Sequence, residues 1–324
     1  MELRISERQL FLREPLLTSF GPITSRTLFE VELFDGDISG RGEAAPLEPY
    51  DGVSPELVRA ALDEYARVIA GLSDTEGPAI LAACREAADL PQALAAVDMA
   101  LWDRAGRRAD APVAHLLAGD PLPRVQCNAL VQSIDQAVRD VQRGFTCLKL
   151  KVGVGDDARS VAALRAAVGQ AVRLRLDANG AWDVETAVAA IEALSPAGLE
   201  LVEEPVSGVD ALRQVRERVA VRIAMDETAA THGALASGAA DAVCLKISRA
   251  GGIAPLLAQA ALVRSTGADV YLASTLDGPL GIAAAAHCAA ALRCELPSGL
   301  ATLGLFEEYE PSPAAIAIDA PGLL

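Results

Sequence analysis

The chain has only three histidines, His115, His232 and His287, and none is spaced from another as a metal-ligand pair. Its six cysteines (84, 127, 147, 244, 288 and 294) are scattered, with no CxxC. That excludes a disulfide frame and a zinc site and leaves buried thiols in a reducing cytoplasm, the expected location. Positive charge is scarce: Asp and Glu number 44 against 28 Lys and Arg, for a net charge of −16 and a sequence pI near 4.6. Nucleic acid and anionic membrane surfaces need basic patches, so neither is an expected partner. No apolar run reaches the roughly 18 residues of a membrane span. The opening MELRISERQLFLREP carries Glu and Arg throughout and lacks the apolar core of a signal peptide. No GxGxxG opens a helix, and Gly153 and Gly155 make only GVG, an ordinary strand-to-helix turn.

What remains is ample. With 324 residues and 52% hydrophobic content, the chain can bury a large core in one or two domains. LFEVELFDGDISGRGEAAP predicts two strands around the turn Asp35-Gly36. SPELVRAALDEYARVIAGL (54–72) predicts a helix capped by Ser54. Strands followed by helices make a small α+β unit.

From residue 123 the rhythm becomes regular. Strand-like runs fall at VQCNAL (125–130), TCLKLKV (146–152), VRLRLDAN (172–179), LELVEE (199–204), VRIAMDE (221–227), DAVCLKI (241–247), DVYLAS (269–274) and CELPSGL (294–300). Seven Ala-rich, helix-period segments separate them. Eight strands at the spacing of βα units predict a closed barrel in place of a doubly wound open sheet.

The strand ends carry charge. Lys149 and Lys151 share one face of the second strand, the third ends in Asp177, the fourth in Glu203, the fifth in Asp226, and the sixth carries Lys246. In a barrel these residues gather at the C-terminal mouth, where active sites form. Singly, each would pass as a helix cap or an ion-pair partner. Five successive strands ending in one coherent pattern are not explained that way. Glu204 and Arg173 fit no such pattern and read as packing or surface ion pairs. Three converging carboxylates repel unless a cation joins them, and an all-oxygen donor set selects a hard ion, Mg²⁺ with Mn²⁺ as substitute. Asn179 and Glu227 stand close enough in sequence to support the ligands. A lysine beside a second lysine and a divalent cation loses basicity, which frees an amine to take a proton next to a metal-polarised carboxylate.

These residues resemble the muconate-lactonizing subgroup of the enolase superfamily. The match runs through GRGEAAPL (40–47), DMALWD (98–103), KLKV (149–152), LDANGAW (176–182), VEEP (202–205), MDET (225–228) and LKISRAGG (245–252). The resemblance implies an α/β fold: a modified TIM barrel, (β/α)₇β, over 94–304, and an α+β cap over 1–93 to which 305–324 returns. It implies Asp177, Glu203 and Asp226 as ligands of Mg²⁺, Lys151 and Lys246 as acid–base pair, and Lys149 as an auxiliary cation. Contacts with the metal ligands or with the substrate are expected at Arg175, Ser274, Thr275, Phe20 and Ile23, the last two on a lid over 17–24. The expected partner is a small carboxylate, and self-association into a homo-oligomer is allowed.

Within the subgroup, dipeptide epimerases carry Asp-x-Asp after the eighth strand to hold a substrate ammonium. Here that region reads SGLATLGL (298–305), without a carboxylate. GLATL, the short chain and Arg175 resemble o-succinylbenzoate synthases, which dehydrate their substrate in menaquinone synthesis; that is the expected activity. TLDGPLGIAAAAHCAAAL (275–292) looks closer to muconate cycloisomerases, and cycloisomerisation or racemisation of N-acyl amino acids or dipeptides stands as the alternative. Outside the family, a Schiff-base aldolase would leave the carboxylates without purpose, and a non-catalytic barrel would not need the lysines.

Overall fold

The computed structural model describes residues 1–18, 21–72, 75–153 and 155–324. An antiparallel sheet of β1 (Glu2–Thr18), β2 (Gly21–Asp35) and β3 (Ile38–Ala44) begins the chain. Asp35 pairs with Ile38 across the turn Gly36-Asp37, where Gly36 takes the left-handed φ of 74° that a tight hairpin requires. Four helices follow, α1 (Glu48–Asp51), α2 (Pro55–Ala70), α3 (Gly77–Ala87) and α4 (Pro91–Ala109), of which α2 and α4 pack on the sheet. Ser54 caps α2 as expected, its hydroxyl accepting from Leu57 N at 3.2 Å. The GRG of the sequence serves packing. A Cβ on Gly40 or Gly42 would stand 2.0 Å from Ala100 O or 1.9 Å from Ala96 O, so only glycine lets β3 lie against α4. α4 faces two cores, with Leu94 and Val97 in the cap and Ala95 and Met99 in the barrel. The division expected at 93/94 lies within its first turn.

After α5 (Val113–Leu117) and β4 (Arg124–Gln126), seven parallel strands follow in sequence order around the sheet. They are β5 (Ala129–Val131), β6 (Cys147–Lys151), β7 (Arg173–Asp177), β8 (Leu199–Glu203), β9 (Ile223–Met225), β10 (Ala242–Leu245) and β11 (Asp269–Leu272). Outside lie α6 (Ile134–Gln142), α7 (Asp157–Val168), α8 (Val184–Leu194), α9 (Val209–Arg216), α10 (Ile247–Ala250), α11 (Ile253–Ser265) and α12 (Pro279–Ala291). The fold is the modified α/β barrel with an antiparallel cap.

Three expectations need correction. VQCNAL is not one strand: β4 turns away to pair with β12 (Ala315–Ala317) near the chain's end, and only β5 enters the barrel. The connection from β9 to β10 has no α-helix, only the 3₁₀ turns Glu227–Ala230 and Ala234–Ala236, cut short by Gly233 and Gly238. The expected eighth strand, 294–300, is reduced to two bridges, Ser298 with Cys127 and Gly299 with Ala273. Pro297 has no N–H to give a ladder, and a Cβ on Gly299 would meet Ala273 Cβ at 3.0 Å. Because the two bridges join opposite ends of the seven-stranded sheet, they close the ring. Near the chain's end Glu307 N donates to Phe11 O, and Phe306 bridges Leu12. Beyond that contact the chain runs to β4 and α4. Among the described residues, no helix is long and apolar enough to cross a membrane.

Alternation along each strand sorts the barrel. Leu174, Leu176, Val202, Met225, Val243, Leu245 and Leu272 face the helices. Leu201, Ala224, Ala242, Cys244, Tyr271 and Leu296 fill the lumen. The lumen residue one step further along several strands is the charged one.

α12 is buried along nearly its whole length and carries His287, 3% exposed. Ala114 N donates to its Nδ1 at 3.0 Å, so the proton sits on Nε2, which faces Leu323 O at 3.2 Å. A second proton would confront the Ala114 N–H, and burial moves the imidazole from 6.5 down to about 4. The unfolded chain therefore takes the proton first. The stability tied to neutral His287, about 3 kcal/mol, is full above pH 6.5 and is lost as pH falls toward 4. Asp98 runs the other way, its carboxyl raised by burial to about 6. The His287 part is therefore read as a difference: urea midpoints of wild type and His287→Gln should converge as pH falls from 7 to 4. A constant gap would refute it.

Candidate active site

The charged strand ends meet at the mouth of the barrel, as the alternation requires. Lys151 pairs in register with Asp177, and Asp177 with Glu203. Lys149 Nζ stands 2.8 Å from Asp177 Oδ2 and 2.6 Å from Glu203 Oε1. Lys246 Nζ binds both carboxylate oxygens of Asp226. Lys151, from β6, and Lys246, at the end of β10, face one cavity of about 340 Å³. These three are the only lysines in the chain; every other one of its 28 basic residues is arginine.

Burial and charge set the protonation states. Burial raises the Glu203 carboxyl to about 8 despite Lys149. Burial would raise Asp226 too, but the Lys246 and Lys149 ammoniums reverse that and bring it to about 2. Lys149 and Lys246 are held well above 10.5, because carboxylate contact outweighs burial. Only Lys151 is lowered, by burial first and by Lys149 in smaller part. The expected loss of basicity is thus found at Lys151 and reversed at Lys246, where Asp226 touches the ammonium.

The supporting residues were mostly not foreseen. Tyr271 OH donates to Glu203 Oε2 at 2.7 Å from the lumen below. Tyr50, on α1 of the cap, donates to Asp226 Oδ1 at 2.9 Å and accepts from Lys246 Nζ at 2.7 Å and from Arg249. Glu204 is not a surface ion pair. Its φ of 39° turns it under the loop after β9, where it is fully buried and accepts from Asp226 N at 2.7 Å and Thr228 N at 2.9 Å. Arg173 does pair at the edge, with Glu200 at 3.1 Å.

Arg175 lies beneath the site. It is fully buried in the lumen, bound to Glu200 at 2.5 Å and Pro297 O at 2.7 Å, and it does not line the cavity. Its guanidinium lies 4.9 Å from the Tyr271 ring and so backs the residue that holds Glu203. Asn179 donates to Glu227 Oε1 at 3.0 Å, and both line the cavity. Ser274, Thr275 and Ile23 line it as well. The Thr275 hydroxyl is committed to Asp277 at 2.6 Å, while Ser274 shares a 2.7 Å hydrogen bond with Thr302. Leu17, Thr18 and Ile23 of the expected lid line the mouth; Phe20 lies outside the described residues.

Three buried carboxylates, touched by two ammoniums, are a donor set that fits a hard divalent ion. A sulfur also stands near this set: Cys244 Sγ lies with carboxylate oxygens of Glu203 and Asp226 inside a 4.8 Å span.

Two family models cover the chain: "Mandelate racemase / muconate lactonizing enzyme, N-terminal domain" over residues 1–118 and "Enolase C-terminal domain-like" over 132–311. The chain belongs to the enolase superfamily, in its muconate-lactonizing subgroup. This enolase-superfamily chain is 31% identical to the hydrophobic dipeptide epimerase of Enterococcus faecalis, over 100% of this chain and 96% of that one. It is 32% identical to a chloromuconate cycloisomerase of Cupriavidus pinatubonensis, over 84% and 79%. The crystal structure of the dipeptide epimerase from E. faecalis complexed with Mg and the dipeptide L-Leu-L-Tyr superposes with a TM-score of 0.93 at 28% identity, covering 99% and 98%. The protein is an isomerase of this superfamily, and its cofactor is Mg²⁺.

Two measurements probe the site. With only three lysines, ¹³Cε-lysine labelling should give three resonances in metal-free protein. Lys151 should titrate below 10.5 and the other two above it; all three near 10.5 would contradict the geometry. Tyr271→Phe keeps the ring and removes the donor to Glu203. It should weaken Mg²⁺ about 10–100-fold in a calorimetric titration while turnover at saturating Mg²⁺ stays close to wild type. A lower melting temperature with unchanged Mg²⁺ affinity would make Tyr271 a packing residue only.

Proposed function

We propose that this enzyme inverts the α-carbon of a monocarboxylate whose nitrogen carries an uncharged acyl group, as in N-acyl derivatives of apolar amino acids. The observation that carries it is the cavity wall. Beyond the lysines, Asp177, Asp226 and Glu227, the described wall has no charge. Leu16, Leu47, Leu130, Val131 and Leu276 make its apolar part; Asn128, Gln132 and Thr302 offer hydrogen bonds suited to an amide. Away from Glu227 and the two aspartates a free ammonium would find no carboxylate, in keeping with SGLATLGL (298–305). The second carboxylate of a muconate, or of a succinylbenzoate precursor, would find no cation. The relatives named above are an epimerase and a cycloisomerase, which also draws the reading away from dehydration.

Asp177, Glu203 and Asp226 would hold Mg²⁺. Bound there, the ion supplies positive charge to the substrate carboxylate and so acidifies the α-proton. Lys151, the lysine of lowered basicity, takes that proton from one face. Lys246, held protonated by Asp226 and Tyr50, returns one to the opposite face, and the product has the inverted centre. Lys149 remains a fixed cation between Asp177 and Glu203. Cap residues around Leu16 and Ile23 shield the reacting carbon from water.

The test is isotope exchange with both enantiomers of N-acetylleucine in ²H₂O and Mg²⁺. Wild type should exchange and invert both. Lys151→Ala should abolish exchange from one enantiomer only, and Lys246→Ala from the other only. Inert N-acyl amino acids together with efficient lactonisation of cis,cis-muconate would replace this reading with a cycloisomerase.

A further inference from the structure

We propose that the same centre is a high-affinity site for thiophilic divalent cations such as Zn²⁺ and Cd²⁺, bound by Cys244 Sγ together with the Glu203 and Asp226 carboxylates. This rests on the reading of those carboxylates as the Mg²⁺ site. Cys244 sits on the lumen face of β10, between Ala242 and Lys246, and is 2% exposed. Among the described residues, its group with Glu203 and Asp226 is the one cluster that brings three such donors together, all within 4.8 Å and all buried. No hydrogen bond engages this thiol among the described residues, whereas Cys147 Sγ donates to Glu200 and Cys127 Sγ to Val125 O. Leu201, Ala224, Ala242, Tyr271 and Leu296 pack around it, and the Lys149 and Lys246 ammoniums stand on the same two carboxylates. The sulfur is therefore a donor aimed at the carboxylates and spent on nothing else.

A tetrahedral ion with sulfur at about 2.3 Å and oxygens at about 2.0 Å separates its donors by about 3.5 Å. A sulfur lone pair bonds to the cation, the thiol proton leaves to solvent, and nothing is oxidised or reduced. Magnesium ignores sulfur and stays with the oxygens. Borderline and soft ions gain a ligand that Mg²⁺ does not use, so they should displace it and inhibit.

The test uses the full chain, stripped of metal by chelation and dialysis, and titrated with Cd²⁺. A thiolate-to-cadmium absorption band should saturate at one Cd²⁺ per chain, and excess Mg²⁺ should compete it away. Cys244→Ser, checked for a wild-type melting curve, should lose the band and bind Cd²⁺ weaker by roughly tenfold or more. Should that variant not fold, ¹¹³Cd NMR of the wild type decides, since sulfur and all-oxygen coordination give well-separated shifts. An all-oxygen shift, or a band that survives in Cys244→Ser, overturns the proposal while leaving the Mg²⁺ reading intact. A thiolate signal whose apparent Cd²⁺ affinity is the same with and without saturating Mg²⁺ overturns the shared centre.

Discussion

Three carboxylates buried at one end of a barrel cannot all be charged unless cations stand among them. Glu203 is wholly buried, and Asp226 and Asp177 are nearly so, with Lys149 and Lys246 in direct contact. Removing either lysine would strand a buried charge, a more costly defect than losing a surface pair. The choice of lysine over arginine carries a second consequence. A guanidinium keeps its proton at any working pH, whereas an amine can exchange one. Every lysine in the chain lies at this site, and the charge pairs elsewhere are made by arginine.

Strand periodicity made the core of this site legible. A period of two puts Lys149 with Lys151, and Arg175 with Asp177, on the lumen side, and barrel closure does the rest. For Arg175 the same rule fixes a face and not a depth. Two residues earlier along β7 is a full layer lower, where Glu200 and Pro297 O absorb the charge. For Glu204 it says nothing. Alternation ends with the strand, and a positive φ turns the next side chain beneath the loop that carries Asp226.

Other features had no local signature. Tyr271 and Cys244 stand on strands whose lumen face was traced only through their charged residues, so an inward hydroxyl or thiol passed as core. The eighth strand failed as a prediction because CELPSGL has the composition of a strand edge but a proline and a glycine where a ladder would form. Ring closure needs only two bridges, and neither requires a continuous strand.

Tyr50 shows why cap and barrel act as one unit. It comes from a four-residue helix of the cap, yet its hydroxyl touches Asp226 and Lys246. The cap fixes the far wall as well. Arg26, 5% exposed on β2, donates to Ala45 O and Pro46 O of the cap and to Thr275 O of the barrel, with Leu276 O in reach at 3.4 Å. Leu276 holds a left-handed φ of 60°, a conformation costly for leucine, and the hydrogen bonds around it stand where that cost must be met. Ser274, Thr275 and Leu276 thus reach the cavity on a turn gripped from the other domain. Sliding the cap would move the apolar wall and the Lys246 support together, so the shape of the pocket and the placement of Lys246 are set by one interface.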